Sequence, residues 1–302
     1  MKIATTGAPV GAEVTGIHLA TIPDARTLAA LADAVHRHGV LVLRGQHLSE
    51  EQHLAFSHAM GPSRRPHQEE STHFQVPGMP EILRLSNIFR DGQAIGILEA
   101  GQYWHSDRSF DARPDGYAII QALTVPRDAG GKSLGDTLFV SAIHAYDTLD
   151  ADTKARIEGL RAVHDYNNPF STHRFSDTRR TKVRIEEERL APVVHDVVRR
   201  HPFTGRKSLY MNQHYTRTIE GWDEKSSREL IDRLCAHATR EEFQYRHRWQ
   251  EGDILIWDDI GIQHHAVGDY TLEQSRLVQR TTLDYIWPAL AGEKATSTVV
   301  AP

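Results

Sequence analysis

The chain has 302 residues, enough for one large domain or two ordinary ones with a substantial buried core. Its 35 Lys and Arg residues against 40 Asp and Glu residues leave a formal charge of -5, which argues against nucleic acid or an anionic membrane as a partner. The single cysteine, Cys235, excludes an internal disulfide bond and a cysteine-based zinc site, and it favours a reducing compartment, by default the cytoplasm. No segment approaches the roughly 18 apolar residues of a spanning helix, and the start lacks the apolar part of a signal peptide, so we expect a soluble protein.

The first sixty residues predict two helices around a short buried strand. After an extended piece at about 11–19, apolar residues recur on one helical face from Asp24 to His38, with Asp24 as the N-cap and Gly39 as the terminator. The apolar run 40–43 predicts a buried strand. The sequence Ser-Glu-Glu-Gln at 49–52 has the form of a capping box, which predicts a second helix up to about residue 61. These helices are expected to pack against a sheet.

From about residue 82 onward the pattern indicates a mainly β structure. Short apolar or alternating runs are separated by Gly, Pro and Asp, and the runs are EILRLSN, YAIIQALTV, LGDTLFV, KSLYMN, DILIWDD and RLVQRTTLDYIW. Many short strands without regular helices between them favour a barrel or a double-sheet jelly roll. Helical pieces are predicted at about 141–160 and 224–237, and the charge-dense stretch at about 171–190 predicts an exposed insertion. We expect a single domain over residues 1–302, mainly β with flanking helices.

A candidate metal site combines two distant clusters of the sequence. In an extended segment side chains alternate, so His105 and Asp107, two residues apart, point the same way and could bind one metal from one side. His264 is the candidate for a third ligand. Two imidazoles and one carboxylate on one octahedral face leave three positions open, which is the arrangement of non-haem Fe(II) oxygenases.

The ordered motifs of the chain resemble a known enzyme family over nearly the whole length. They are GAEVTGIHL, HRHGVLVLRGQHLS, WHSD, GGKSLGDTLF, RRHPFTGRKSLYMN, CAHATREEFQYRHRW, EGDILIWDDIGIQHHAVGDY and SRLVQRTTL. In this order they are similar to the Fe(II)/2-oxoglutarate-dependent dioxygenases of the taurine and 2,4-dichlorophenoxyacetate dioxygenase type. The resemblance implies a double-stranded β-helix (jelly-roll) core, a need for Fe(II), 2-oxoglutarate and dioxygen, and hydroxylation or oxidative cleavage of the substrate.

The resemblance also assigns roles to individual residues. It matches His105, Asp107 and His264 to the iron ligands, and no catalytic residue beyond them is implied. The neighbouring residue His265 should point to the opposite face of its strand and pack outside the barrel.

Thr137 and Arg276 match the residues that bind the far carboxylate of 2-oxoglutarate, for which a hydroxyl and a planar guanidinium are suited. An extra residue between positions 271 and 275, relative to the taurine-oxidising members, leaves Arg280 as the alternative. Arg276 and Arg280 are both expected to face the barrel interior, because residues 276, 278 and 280 share one face of a strand.

The substrate is predicted only as a class, a small organic anion such as a carboxylate, an aryloxyalkanoate or a sulfonate. Taurine is disfavoured, because Gly101 stands where the taurine enzymes carry Asn. The pocket candidates are Arg280, His67, Tyr103 and Arg108. Arg280 could instead bind the near carboxylate of 2-oxoglutarate or pair with a neighbouring acid such as Asp284. Trp257 is expected to be a core residue.

Two other classes of function remain at this point. A zinc hydrolase would use the same three ligands, although no Glu suited as a general base lies beside either cluster. A non-catalytic metal-binding jelly-roll module would leave Thr137 and Arg276 without a purpose. The sequence is compatible with a monomer or a homo-oligomer.

Overall fold

The structure is a computed structural model that describes residues 1–64, 74–98, 101–171 and 190–286. The helices in these ranges are α1 (Ala25–His38), α2 (Glu50–Met60), α3 (Ala142–Asp147), α4 (Ala151–Ile157) and α5 (Glu224–Ala238), with a 3-10 turn at Glu241–Phe243. The strands are β1 (Lys2–Thr5), β2 (Ala12–Thr15), β3 (Val40–Leu43), β4 (Ser63–Arg64), β5 (Gln75–Val76), β6 (Met79–Ser86), β7 (Phe89–Arg90), β8 (Gln93–Ala94), β9 (Tyr117–Thr124), β10 (Thr137–Ser141), β11 (Arg161–His164), β12 (Val193–Asp196), β13 (Val198–Arg200), β14 (Lys207–Leu209), β15 (Thr216–Ile219), β16 (Tyr245–His247), β17 (Ile254–Asp258), β18 (Ile262–Ala266) and β19 (Leu277–Leu283).

The first two helices begin and end at the residues that the sequence predicted. The Asp24 side chain accepts a hydrogen bond from the backbone N–H of Thr27, and Gly39 ends α1 with a positive φ of 73°. Ser49 and Gln52 form the predicted capping box of α2. Both boundaries follow from local hydrogen bonding, which explains why the sequence alone located them.

Two sheets face one another across an apolar interior. The larger sheet has the strand order β1-β2-β3-β17-β9-β19-β6-β5, with β4 paired to β19, and the smaller sheet has the order β16-β10-β18. Between them lies a core that includes Val42, Ile120, Leu255 and Val278 from the larger sheet and Phe139 from the smaller one. The mainly β structure and the facing sheets confirm the predicted jelly-roll core with flanking helices.

The outer face of the larger sheet is covered by α1 and α2. Leu41, Ile119 and Ile256 alternate with inward-facing neighbours and pack with helix residues such as Leu31 and Phe56. Both faces of the central strands are therefore buried, and this accounts for their nearly continuous apolar sequences.

The structure departs from the predicted helix at 141–160. This segment contains two short helices, α3 and α4, because Thr148 ends the first and Asp150 caps the second by accepting the N–H of Thr153. The predicted insertion at about 171–190 lies almost entirely outside the described residues. Within the described ranges, no helix has the length and apolar character needed to cross a lipid bilayer.

Candidate metal centre and cosubstrate pocket

Backbone pairing joins the two distant histidines. The N–H of His105 donates to the carbonyl of His264 at 3.1 Å, and the N–H of His264 donates back to the carbonyl of His105 at 2.8 Å. The two rings come to a centroid distance of 4.2 Å. The adjacent residue His265 pairs in register with Leu138 of β10, and its ring contacts that of Trp104 at 5.6 Å. The strand alternation therefore separates His264 from His265, as predicted.

Asp107 completes a cluster of three possible ligands. Its carboxylate and the imidazoles of His105 and His264 offer ligand atoms that all lie within 4.8 Å of one another, and the three residues are buried. The expected extended conformation is wrong for this segment, because His105 forms a single isolated bridge and Asp107 begins a turn. The turn nevertheless brings Asp107 Oδ1 to 3.6 Å from His105 Nε2.

The surroundings leave the right atoms free for a metal. His105 Nδ1 lies 2.8 Å from the Tyr103 carbonyl, so Nδ1 carries the hydrogen and Nε2 keeps its lone pair. Burial and the neighbouring His105 ring lower the pKa of His264 well below its usual value, which favours the neutral ligand form. Two neutral imidazoles and one carboxylate are a donor set that suits Fe(II) with open positions.

A partly buried arginine, with 17% of its side chain exposed, binds the other oxygen of the Asp107 carboxylate. Arg280 Nη1 donates to Asp107 Oδ2 at 2.8 Å. Burial alone would raise the pKa of Asp107, but the Arg280 guanidinium holds it well below its usual range. The acid considered from the sequence, Asp284, instead contacts Arg64 and Arg113.

Two further buried acids lie next to the candidate metal ligands, and neither was predicted from the sequence. Asp259 Oδ1 accepts the backbone N–H of Asp107 at 3.3 Å and lies 3.8 Å from His264 Nδ1, while its Oδ2 accepts the indole N–H of Trp257. Asp115 donates its backbone N–H to the Asp107 carbonyl. Burial raises the pKa of Asp259 well above its usual value and that of Asp115 to about 6. The only sequence signal for Asp259 was its place in the WDD motif.

Arg276 and the glycine of the GDT motif that contains Thr137 lie against a common aromatic ring. Thr137 begins β10, and Arg276 directly precedes β19. The Arg276 guanidinium carbon lies 5.9 Å from the centroid of the Tyr270 ring. The same ring packs against Gly135, where a Cβ atom would come within 3.1 Å of Tyr270 and where φ is +71°. Tyr270 thus connects the GDT motif with Arg276.

The pocket candidates from the sequence have different surroundings. Tyr103 is beside the metal cluster, with its ring 4.8 Å from that of His105 and its hydroxyl 2.8 Å from that of Tyr215. Arg108 has φ of +54°, binds Asp111 and lies 3.8 Å from Asp115. His67 lies outside the described residues.

Gly101 borders the first ligand histidine directly. A Cβ atom at this glycine would come within 2.8 Å of His105 Cε1 and 3.3 Å of its Nε2. A side chain at this position would therefore press against the imidazole of His105. Trp257, which is 2% exposed, belongs to the core as predicted.

Comparisons with known proteins show the family to which the chain belongs. The profile of the family described as "Taurine catabolism dioxygenase TauD, TfdA family" matches residues 2–282. The alpha-ketoglutarate-dependent 2,4-dichlorophenoxyacetate dioxygenase of Cupriavidus pinatubonensis is 35% identical over 81% of this chain and 84% of that protein. Pentalenolactone F synthase of Streptomyces arenae is 33% identical over 85% of this chain and 87% of that protein.

A solved structure extends the comparison to the fold. The crystal structure of AAD-2 in complex with Mn(II) and N-oxalylglycine has a TM-score of 0.73 and 27% identity, and the match covers 96% of this chain and 100% of that one. With the family profile spanning nearly the whole sequence, this chain belongs to the TauD/TfdA family of 2-oxoglutarate-dependent dioxygenases.

Proposed function

We propose that this chain is a dioxygenase that oxidises a small organic anion at an Fe(II) ion held by His105 Nε2, Asp107 Oδ1 and His264. One observation carries the proposal: the reciprocal backbone hydrogen bonds of the two histidines place three buried ligand atoms within 4.8 Å of one another. When bound, Fe(II), 2-oxoglutarate and dioxygen would supply the chemistry: one oxygen atom of dioxygen enters a C–H bond of the substrate, and the other enters succinate as 2-oxoglutarate loses carbon dioxide.

Thr137 and Arg276 would hold the far carboxylate of 2-oxoglutarate. The hydroxyl supplies one donor, and the guanidinium supplies a planar pair of donors that matches both carboxylate oxygens. Among the described residues, no carboxylate forms an ion pair with Arg276, whereas Arg280 is already bound to Asp107. This difference favours Arg276 as the cosubstrate residue.

The Arg280 side chain favours an anionic substrate. It lies in a largely buried site beside the proposed metal ligands, where a guanidinium hydrogen without an acceptor is costly. Arg280 is the proposed anchor, because its Nε hydrogen has no acceptor among the described residues.

Aromatic side chains would form the apolar part of the substrate pocket. The Tyr103 ring lies beside His105 and contacts Tyr215. Phe110, Tyr166 and Tyr215 contact one another, and the centroid distances within this group of four rings are 4.7 to 6.2 Å. Such rings bind the carbon part of a substrate and exclude water from the reacting atoms. The relatives are named for acting on aryloxyalkanoates and sulfate esters, and we propose substrates of this general kind, an organic acid with an apolar body.

Succinate release tests the proposal. The purified chain would be given Fe(II), ascorbate and 2-oxoglutarate with a panel of carboxylates, sulfonates and sulfate esters, and we expect substrate-dependent succinate. The Asp107→Asn variant is the matched control, because it keeps the side-chain shape but loses the anionic ligand. Hydrolysis without succinate would identify a zinc hydrolase instead, and metal binding without any turnover would identify a non-catalytic module; the comparisons support neither.

A further inference from the structure

A buried tryptophan contacts the proposed cosubstrate site from the side of the core. Trp249, which is 2% exposed, lies just beyond β16, and its indole Nε1 donates to Thr137 Oγ1 at 3.0 Å. Thr137 is itself buried, with 5% of the residue exposed. In the sequence this tryptophan ends the motif CAHATREEFQYRHRW, and nothing in that pattern indicates a role for it.

The direction of this hydrogen bond determines which hydrogen-bonding role is left to the Thr137 hydroxyl. An indole N–H is only ever a donor, whereas a threonine hydroxyl has one hydrogen to donate and two lone pairs. Since Thr137 Oγ1 accepts from Trp249, its own hydrogen is available for another group. Within the described ranges Thr137 Oγ1 has no other hydrogen-bond partner, so this buried hydrogen requires an acceptor such as a carboxylate oxygen.

The indole is itself held in place by a polar chain. The His247 ring packs edge-on against Trp249 with a centroid distance of 4.6 Å and an interplanar angle of 85°. His247 Nε2 is 3.1 Å from Asp253 Oδ2, and Arg44 binds the same carboxylate. His247 is also the direct partner of Thr137 in the pairing of β10 with β16. The pairing of β10 with β16 therefore positions both the acceptor, Thr137, and the donor, Trp249, which follows β16.

We propose that Trp249 is a positioning residue for 2-oxoglutarate. By occupying a lone pair of the Thr137 hydroxyl it directs the hydroxyl hydrogen toward the far carboxylate of the cosubstrate, next to the donors of Arg276. This inference rests on the proposed function, because it assumes that Thr137 binds 2-oxoglutarate. Trp249 does not touch the reacting atoms, so it acts on cosubstrate binding and leaves the oxidation step unchanged.

Binding of N-oxalylglycine, a non-reactive analogue of 2-oxoglutarate, to the Mn(II)-loaded protein tests the proposal by calorimetry. Trp249→Phe keeps a large ring but removes the N–H, and we expect a dissociation constant about fivefold higher, the effect of one neutral hydrogen bond. Thr137→Val should raise it about tenfold. In the Thr137→Val background, Trp249→Phe should have no further effect, because the group that it positions is gone.

Steady-state kinetics separates positioning from a general loss of structure. In Trp249→Phe the KM for 2-oxoglutarate should rise by a similar factor, while kcat at saturating 2-oxoglutarate and the affinity for metal stay unchanged. Thr137→Ser, which keeps the hydroxyl, should bind N-oxalylglycine nearly as well as the wild type. An equal effect of Trp249→Phe in both backgrounds, or no effect in either, would overturn the proposal.

A second measurement uses the wild-type indole and does not require Trp249→Phe to fold. In the Zn(II)-loaded, 15N-labelled protein, Thr137→Val should shift one of the five indole N–H resonances, and N-oxalylglycine should shift the same resonance in the wild type, because the two hydrogen bonds share the hydroxyl. A resonance that responds to Thr137→Val but not to N-oxalylglycine would contradict the proposal. Failure of the wild type to bind N-oxalylglycine at all would overturn the proposed function together with it.

Discussion

Replacing Arg276 by alanine is the strongest test of the cosubstrate site. Truncating one partner of a paired buried charge typically costs about 2 to 5 kcal/mol. Arg276 is half-buried at the start of β19, so solvent screens part of its charge, and we expect the lower end of this range. A loss of about 2 kcal/mol corresponds to a roughly 30-fold higher requirement for 2-oxoglutarate.

The assay is the KM for 2-oxoglutarate in succinate release, together with the affinity for metal. The metal affinity should remain unchanged in Arg276→Ala, because the ligands and their backbone bridge do not involve this side chain. Arg84→Ala is a matched control. Arg84 is another partly buried arginine on the neighbouring strand β6, and it is bound to Glu50 at 3.0 Å, away from the proposed carboxylate site.

One result would refute the reasoning. An unchanged KM for 2-oxoglutarate in Arg276→Ala, combined with a large increase in Arg280→Ala, would mean that the roles of the two arginines are exchanged. A similar increase in Arg84→Ala would instead show that the assay reports a general loss of charge or stability.

Three further variants test other parts of the molecule. Asp107→Asn should weaken metal binding by at least about 100-fold, measured by metal titration, because loss of an outer-shell partner alone costs about 10- to 100-fold; normal binding would exclude this ligand. Arg280→Lys should raise the KM for substrate about tenfold and that for 2-oxoglutarate much less, and equal increases would count against a substrate anchor. Burial lowers the pKa of His53 to about 4, so the unfolded chain binds a proton below pH 6.5 that the folded chain does not accept. The free energy of unfolding should therefore fall by up to about 3 kcal/mol between pH 6.5 and 4. Urea unfolding should show a smaller fall over this range in His53→Gln, and an equal fall would refute the role of His53.

The elements that the sequence predicted well are those decided by local interactions. The capping of α1 by Asp24 and of α2 by Ser49 involves residues only three apart in the sequence. The apolar run 40–43 forms a strand in which all four residues are buried, as a continuous apolar sequence indicates. The single helix predicted at 141–160 is two helices in the structure, again because of a local interaction. Its apolar periodicity continues across Thr148, but the cap formed by Asp150 begins a new helix.

The metal cluster could be predicted because its residues are tied to short motifs, whereas its surroundings depend on tertiary contacts. Asp115 and Asp259 are eight residues and five residues from their nearest ligand in the sequence, and neither spacing indicates a contact. The hydrogen bond from Trp249 to Thr137 joins residues 112 positions apart. Only the pairing of β10 with β16 brings them together.

The contact between Arg280 and Asp107 changes how the anion site should be understood. From the sequence, a buried Arg280 seemed to need an external anion, but Asp107 already supplies one negative charge at 2.8 Å. A divalent metal on Asp107 Oδ1 would draw on that same negative charge, leaving the guanidinium less fully compensated. Arg280 should therefore attract an organic anion more strongly in the metal-loaded protein than in the apoprotein. A substrate that met this arginine would then bind mainly after the metal, which would restrict the reaction to a site that is already complete.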